Sequence, residues 1–159
     1  METANVTQLE SSYPIIVDYS MNIDDLYEKM KMFEFVYIDP YIGNSNFPPR
    51  KKNNIERLNF HIIQIKEGKI YNEKAVRLIK EMGYRPARIR ELIAFLQQYP
   101  NFRFNKGLVA LAELWMWSYT LYAPCFLYDK INEGKSLGLF PIRGGWNENF
   151  CFAATSKFK

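Results

Sequence analysis

Histidine, cysteine and glycine motifs are scarce in this chain, and each scarcity removes a class of chemistry. His61 is the only histidine, set in a strand-like run with no cysteine or second histidine at metal-ligand spacing. A structural imidazole is expected. Any Ser–His–Asp or Cys–His arrangement would have to use this one ring, and no nucleophile-elbow motif accompanies it. The two cysteines, Cys125 and Cys151, read as buried free thiols of a reducing compartment. The eight glycines form neither G-x-x-x-x-G-K-S/T nor G-x-G-x-x-G, so nucleotide-phosphate motifs are absent. No apolar run approaches the roughly 20 residues of a membrane helix. The start, Met1 to Val6, has no basic segment followed by an apolar one. These absences lead to the expectation of a cytoplasmic, non-enzymatic protein with no metal, no cofactor and no membrane partner.

Apolar and aromatic side chains are plentiful, at 48% and 16% of the 159 residues, which is ample for a packed core and argues against wholesale disorder. That length suits one domain: a loose polar arm over 1–12, then a single α+β domain over 13–159. The net charge of +4 is unevenly distributed. Residues 1–39 hold eight acids against Lys29 and Lys31, whereas residues 50–90 hold twelve Lys or Arg against Glu56, Glu67, Glu73 and Glu81. The basic middle either attracts nucleic acid or an acidic protein, or packs near the acidic N-terminal part.

The densest patterning runs from Asn72 to Pro100. Ala75, Val76, Ile79 and Met82 share one helical face, with Asn72 placed to cap the helix and Gly83 to end it in the left-handed conformation. Pro86 suits the first turn of a second helix, in which Ile89, Leu92, Ile93 and Leu96 repeat at i, i+3, i+4 and i+7. Pro100 closes it. Arg85 and Arg88 fall at the positive end of that helix dipole, with Glu91 a turn along to offset one of them. They belong either to a solvated basic face or, with Arg90, to a site for an external anion or a partner's carboxylates.

In chain order, Tyr13–Tyr19 reads as a strand, Ile23–Lys31 as a helix capped at Asn22, and Phe33–Ile38 as a strand. Residues 39–54 form a surface loop carrying Arg50, Lys51 and Lys52. Ile55–Ile65 is a strand with Leu58, Phe60 and Ile62 on one side. After Pro100, Gly107–Leu111, Trp115–Tyr122, Pro124–Tyr128, Ser136–Phe140 and Phe150–Thr155 read as short strands of a meandering antiparallel sheet. The class is therefore α+β: N-terminal strands with three short helices over 13–100, then an antiparallel, β-rich third over 101–159. Trp115, Trp117 and Tyr119 alternate along one strand face, forming either core or a flat platform for a base, sugar or peptide. Arg143, Trp146, Asn147 and Asn149 lie in a loop set whose amides, glycines and aromatic suit either β-turns or an adaptable binding surface.

Gly83-Tyr-Arg-Pro-Ala87, Glu91-Leu-Ile-Ala-Phe95, Val109-Ala-Leu111, Pro124–Tyr128, Trp146 and Phe152-Ala-Ala154 resemble a set of small bacterial proteins of no established activity. Those proteins share a G-x-R-P-A…E-L-L-A-F helix pair and a W…F-x-A-V-R-K tail. The tail Leu137–Ala154 also resembles, more distantly, the end of C-type-lectin-like domains, including the variable proteins of diversity-generating retroelements. That resemblance implies a Trp ahead of a final buried strand, with intervening loops that bind ligand. Cys151 and Thr155-Ser156-Lys157 depart from the pattern at its polar tail.

Two functional expectations follow. The first is a non-catalytic binding module that recognises a protein partner, or a small polar ligand, through Arg143, Trp146, Asn147, Asn149, Trp115 and Trp117. The second is a basic nucleic-acid or nucleoprotein binder, of the kind a phage uses to inhibit a host defence complex, acting through Arg50, Lys51, Lys52, Arg85, Arg88 and Arg90.

Overall fold

A computed structural model describes residues 5–51 and 54–158. Its strands are β1 (Asn5–Asp18), β2 (Phe35–Ile38), β3 (Ile55–Lys66), β4 (Lys69–Ile70), β5 (Arg85–Pro86), β6 (Gly107–Val109), β7 (Trp115–Trp117), β8 (Thr120–Asp129), β9 (Gly134–Pro141), β10 (Trp146–Asn147) and β11 (Phe150–Lys157). The helices are α1 (Leu26–Met30), α2 (Asn72–Glu81) and α3 (Ile89–Gln98), with a 3-10 turn at Lys31–Phe33. Nine strands form one sheet in the order β1-β3-β11-β6-β8-β9-β2, with β5 beside β11 and β7 beside β8. β4 and β10 make a separate two-stranded ribbon.

The expected α+β class holds. All three helices lie before residue 100 and, among the described residues, only strands follow, yet the two parts are joined in one sheet. β11 lies between β3 and β6, so strands from both ends of the chain share one sheet. The sheet is not a plain antiparallel meander either, because β11 pairs with β6, and β2 with β9, in parallel.

Alternation along β3 builds both faces of the sheet. Leu58, Phe60 and Ile62 enter one core with Leu92, Phe95 and Leu96 of α3. Ile63 and Ile65 enter the other with Ala75 and Ile79 of α2. Phe60 and Phe95 stack with centroids 4.1 Å apart, and Tyr13 meets Phe95 edge-on at 5.0 Å. Each such pair contributes about 0.5–1.5 kcal/mol beyond its buried area. Every residue from Ile89 to Leu96 is buried, including Arg90 and Glu91. A helix sealed on all sides needs cover on its outer face, and Tyr19, Ile23, Ile42 and Phe47 join that same core.

Several boundaries move for local reasons. β1 begins at Asn5 and pairs with β3 from Asn5↔Lys66 onward, so residues 5–12 are strand rather than loose arm, while residues 1–4 lie outside the described residues. The first helix shrinks to Leu26–Met30. The Asn22 side chain instead accepts the Asp24 backbone N–H at 2.8 Å, and Asp25 takes a left-handed φ of 56°. Gly83 does end α2 at φ 85°. Asn72 is its first residue rather than its cap, since Tyr71 precedes it in extended geometry. Pro86 belongs to β5, and α3 starts three residues later behind Arg88.

The outer edge of β1 is covered by the end of α3. Ile16 N–H donates to Gln98 Oε1 at 2.9 Å, and Gln98 Nε2 donates back to the Ile16 carbonyl at 2.7 Å. The Tyr99 hydroxyl donates to the Pro14 carbonyl at 2.8 Å. These contacts occupy backbone groups through which an edge strand otherwise pairs with other chains.

Candidate interaction surface

The arginines singled out from the sequence converge, but most are committed internally. Glu91 is 0% exposed, and three groups meet its carboxylate. Arg85 grips it with both terminal nitrogens, Nη1 at 2.8 Å from Oε1. The Tyr19 hydroxyl donates to Oε2 at 2.5 Å, and the Arg88 backbone N–H to Oε1 at 2.7 Å, closing the first turn of α3. Burial and the neighbouring carboxylate raise the Tyr19 phenol well above its usual range. Despite desolvation, the bidentate carboxylate holds Arg85 firmly charged.

Arg90 is buried and, among the described residues, forms no ion pair with a carboxylate. Its Nε donates to the Met21 carbonyl at 2.9 Å, Nη1 to the Phe47 carbonyl at 2.9 Å, and Nη2 to Asn44 Oδ1 at 3.1 Å. Those contacts tie α3 to the turn after β1 and to the loop preceding β3. Arg85 and Arg90 are therefore corrected from candidate anion contacts to structural cations. Arg50 stays exposed but lies over the Tyr19 ring at 4.4 Å, and Arg88 lies 5.7 Å from the same ring. Lys51 is exposed, and Lys52 falls outside the described residues.

Trp146 requires the same correction. It is 2% exposed, sits edge-on to Phe150 and Phe152, and donates its indole N–H to Asn72 Oδ1 at 2.7 Å. A loop composition rich in amides and glycine conceals a core tryptophan whose polar handle is satisfied by the first residue of α2. Arg143, Asn147 and Asn149 are exposed around it, with Asn147 Oδ1 accepting the Asn149 backbone N–H at 2.8 Å.

Of the remaining pair of candidates, Trp117 is exposed and Trp115 is half-buried against the main core. β7 and β8 form a hairpin in which Trp117 faces Thr120 across a two-residue turn. Both turn residues have positive φ, Ser118 at 48° and Tyr119 at 64°. Two-residue hairpin turns need that geometry and usually fill it with Asn or Gly. Two non-glycine residues there carry strain of about 1–3 kcal/mol each, a feature that clusters at functional sites. The strain lifts Tyr119 fully out of the surface at 101% exposure, beside Met116 at 64% and Trp117 at 54%. Tyr119 is thus a turn residue, not a third member of the strand face. The missing Asn-Gly signal is why Trp115–Tyr122 reads as one uninterrupted strand in the sequence.

Behind the tip the aromatic rings are nearly parallel. Tyr41 stacks on Trp115 at 4.8 Å and 19°, and Trp115 on Trp117 at 6.4 Å and 20°. Tyr41 comes from the loop after β2 and was not among the expected site residues. Its contribution depends on a contact between segments more than seventy positions apart. At the base of the hairpin, Leu114 and Leu111 border a groove of about 660 Å³ along Val76, Arg77 and Lys80 of α2.

Among the described residues, no group of His, Cys, Asp and Glu is arranged to hold a metal ion, and no helix is long and apolar enough to cross a membrane. Cys125 and Cys151 are both free and buried, and burial pushes both thiols above their usual range, Cys151 up to about 11. No family model matches the chain, and searches of curated proteins and of solved structures find no match.

Proposed function

We propose that this protein is a non-catalytic interaction module whose contact surface is the β7–β8 hairpin, and that its partner is a protein. The observation that carries this reading is the ring stack Tyr41–Trp115–Trp117, in which half-buried Trp115 backs exposed Tyr41 and Trp117 and which ends in a strained turn with Met116 and Tyr119 in solvent. Tryptophan and tyrosine are the residues most often dominant in protein interfaces, because each buries a large rigid area at small entropic cost. A prepaid, strained turn spares the partner the cost of ordering it. The C-type-lectin-like relationship belongs to the same reading: late-strand connections serve as the recognition surface, here displaced from the Trp146 turn to the β7–β8 turn. A nucleic-acid role draws less support, since Arg85 and Arg90 are used inside the molecule.

The test is affinity capture from the native host at low and high salt, with the unaltered chain and with a Trp117→Ala/Tyr119→Ala double variant. A protein retained by the first, lost by the second, and insensitive to Arg50→Ala/Lys51→Ala supports the hairpin as the contact. Equal retention by the double variant overturns the assignment. Retention of oligonucleotide with a log–log salt slope of about −4 or steeper would transfer the function to the basic residues.

A further inference from the structure

The two edges of the large sheet are treated differently. At the β1 edge, Gln98 and Tyr99 occupy backbone groups of the strand. At the opposite edge, β2 pairs with β9 on one side and, among the described residues, has no strand on the other. Lys135 N–H donates to the Glu34 carbonyl at 3.1 Å, and Asp39 N–H to the Leu137 carbonyl at 2.9 Å. Ile38 is the residue paired with Leu137. Alternate residues of a parallel ladder turn their backbone groups to opposite sides. With Asp39 N–H turned towards β9, the Ile38 N–H and carbonyl face away from the sheet.

A groove of about 440 Å³ follows this edge, between β2 and the start of α1. Val36, Tyr37, Ile38, Asp39 and Pro40 all border it. Successive strand residues point to opposite faces, so a concavity that touches each of them in turn runs along the edge rather than over one face. Leu26 and Ile42 are buried on its inner wall, whereas Val36 is 62% and Tyr37 50% exposed. β-branched and aromatic side chains left in solvent beside unpaired backbone are what sheet edges ordinarily avoid.

Charge selects the occupant. Asp25 and Asp39 lie on the groove wall and, among the described residues, no lysine or arginine does. The lysines of the neighbouring helix and turn are engaged elsewhere, Lys29 with the Asn22 carbonyl and Lys31 with Glu28. A second copy of this chain fits poorly. If two β2 strands paired antiparallel about Val36 and Tyr37, each Glu34 would oppose the other copy's Asp39, and like charges directly opposite are destabilising. A segment carrying Lys or Arg meets the same carboxylates favourably. We propose that the β2 edge binds an extended segment of another protein as an added strand. Its main chain bonds to Ile38, an apolar side chain enters the groove, and a basic residue meets Asp25 and Asp39. This contact goes beyond the hairpin reading and does not depend on it.

The test selects a displayed library of random short linear peptides on the full chain and synthesises the most enriched sequences. They are expected to alternate β-branched or aromatic residues with polar ones and to carry Lys or Arg at a flank. Binding is expected to fall about tenfold for the Asp25→Asn/Asp39→Asn chain. Asparagine tolerates the left-handed backbone of residue 25, where φ is 56°, and at residue 39 keeps the oxygen that accepts the Tyr41 N–H, so the fold is retained. Methylating alternate amide nitrogens along one edge of the peptide should abolish binding, and along the other edge should be tolerated. The Ile38 amide should become protected from hydrogen exchange when the peptide is bound. Acidic enriched peptides, binding unchanged in the double variant, or indifference to which edge is methylated overturns the proposal. So does recovery of no peptide that binds more tightly than about 1 mM. Binding lost in the Trp117→Ala/Tyr119→Ala chain moves the peptides to the hairpin and overturns this site alone. A dimer that Tyr37→Lys disperses assigns the edge to a second copy, with the same consequence.

Discussion

The first turn of α3 and the tip of the β7–β8 hairpin are both rich in residues used in recognition, and they spend them in opposite ways. Around Glu91, an arginine side chain, a tyrosine hydroxyl and a backbone N–H are drawn inward by one buried carboxylate. At the hairpin, Met116, Trp117 and Tyr119 are held outward by a turn that neither Ser118 nor Tyr119 adopts readily. A buried anion collects cations because leaving it unpaired costs several kcal/mol, whereas exposed aromatics are bound by no comparable requirement. Residue type alone therefore misidentifies the contact surface, and what separates the two regions is whether a side chain has a partner within its own fold.

This contrast predicts graded responses. Trp146→Ala should destabilise the fold by about 3–5 kcal/mol, the range for emptying a core aromatic site. Glu91→Ala should cost about 3 kcal/mol by stranding Arg85 and Tyr19. Chemical denaturation measures both, and a loss under about 1 kcal/mol for either would mean that the region is less closed than its contacts indicate.

A smaller effect is expected from pH. The Tyr19 phenol is raised above its usual 10.0, first by burial and then by its bond to Glu91. The unfolded chain thus ionises first, and stability should decline as pH rises past about 10. His61 is lowered from 6.5 by burial, so the unfolded chain takes up a proton first on the acid side, and stability should begin to fall below about pH 6.5. Replacing Tyr19 with Phe should flatten the alkaline limb, and replacing His61 with Gln the acid one. Melting curves across pH would expose an error in either sign. The smallest effect is assigned to Trp117→Ala, within about 0.5 kcal/mol of the parent, because the side chain is over half exposed. A larger loss would place Trp117 in the structural framework and erase the contrast.

The features legible in the sequence were those carried by local periodicity. The two faces of β3, the apolar stripe of α2 and the left-handed stop at Gly83 all follow from residues within a few positions of one another. Features resting on distant partners were hidden. Arg90 looks like a surface charge until the carbonyls of Met21 and Phe47 close over it. Trp146 looks like a loop aromatic until Asn72 is found at its indole nitrogen. The first part of β1 is polar enough to resemble a tail, and its strand character comes from pairing with β3. At the candidate site, Trp115 and Trp117 were identifiable from their alternation, but Tyr41 and the Ser118–Tyr119 turn were not.

The position of β11 bears on how the molecule comes into being. It is the last strand to be synthesised among those described, yet it separates β3 from β6 and carries Phe152 and Ala153 into opposite cores. Until it is in place, β3 and β6 lack the strand that joins them, although β2 and β9 can already pair on the far side of the sheet, and the wide sequence separation of β11 from β3 makes that last union slow. Completion is thus a late, concerted event, during which the unclosed edges are most exposed to aggregation.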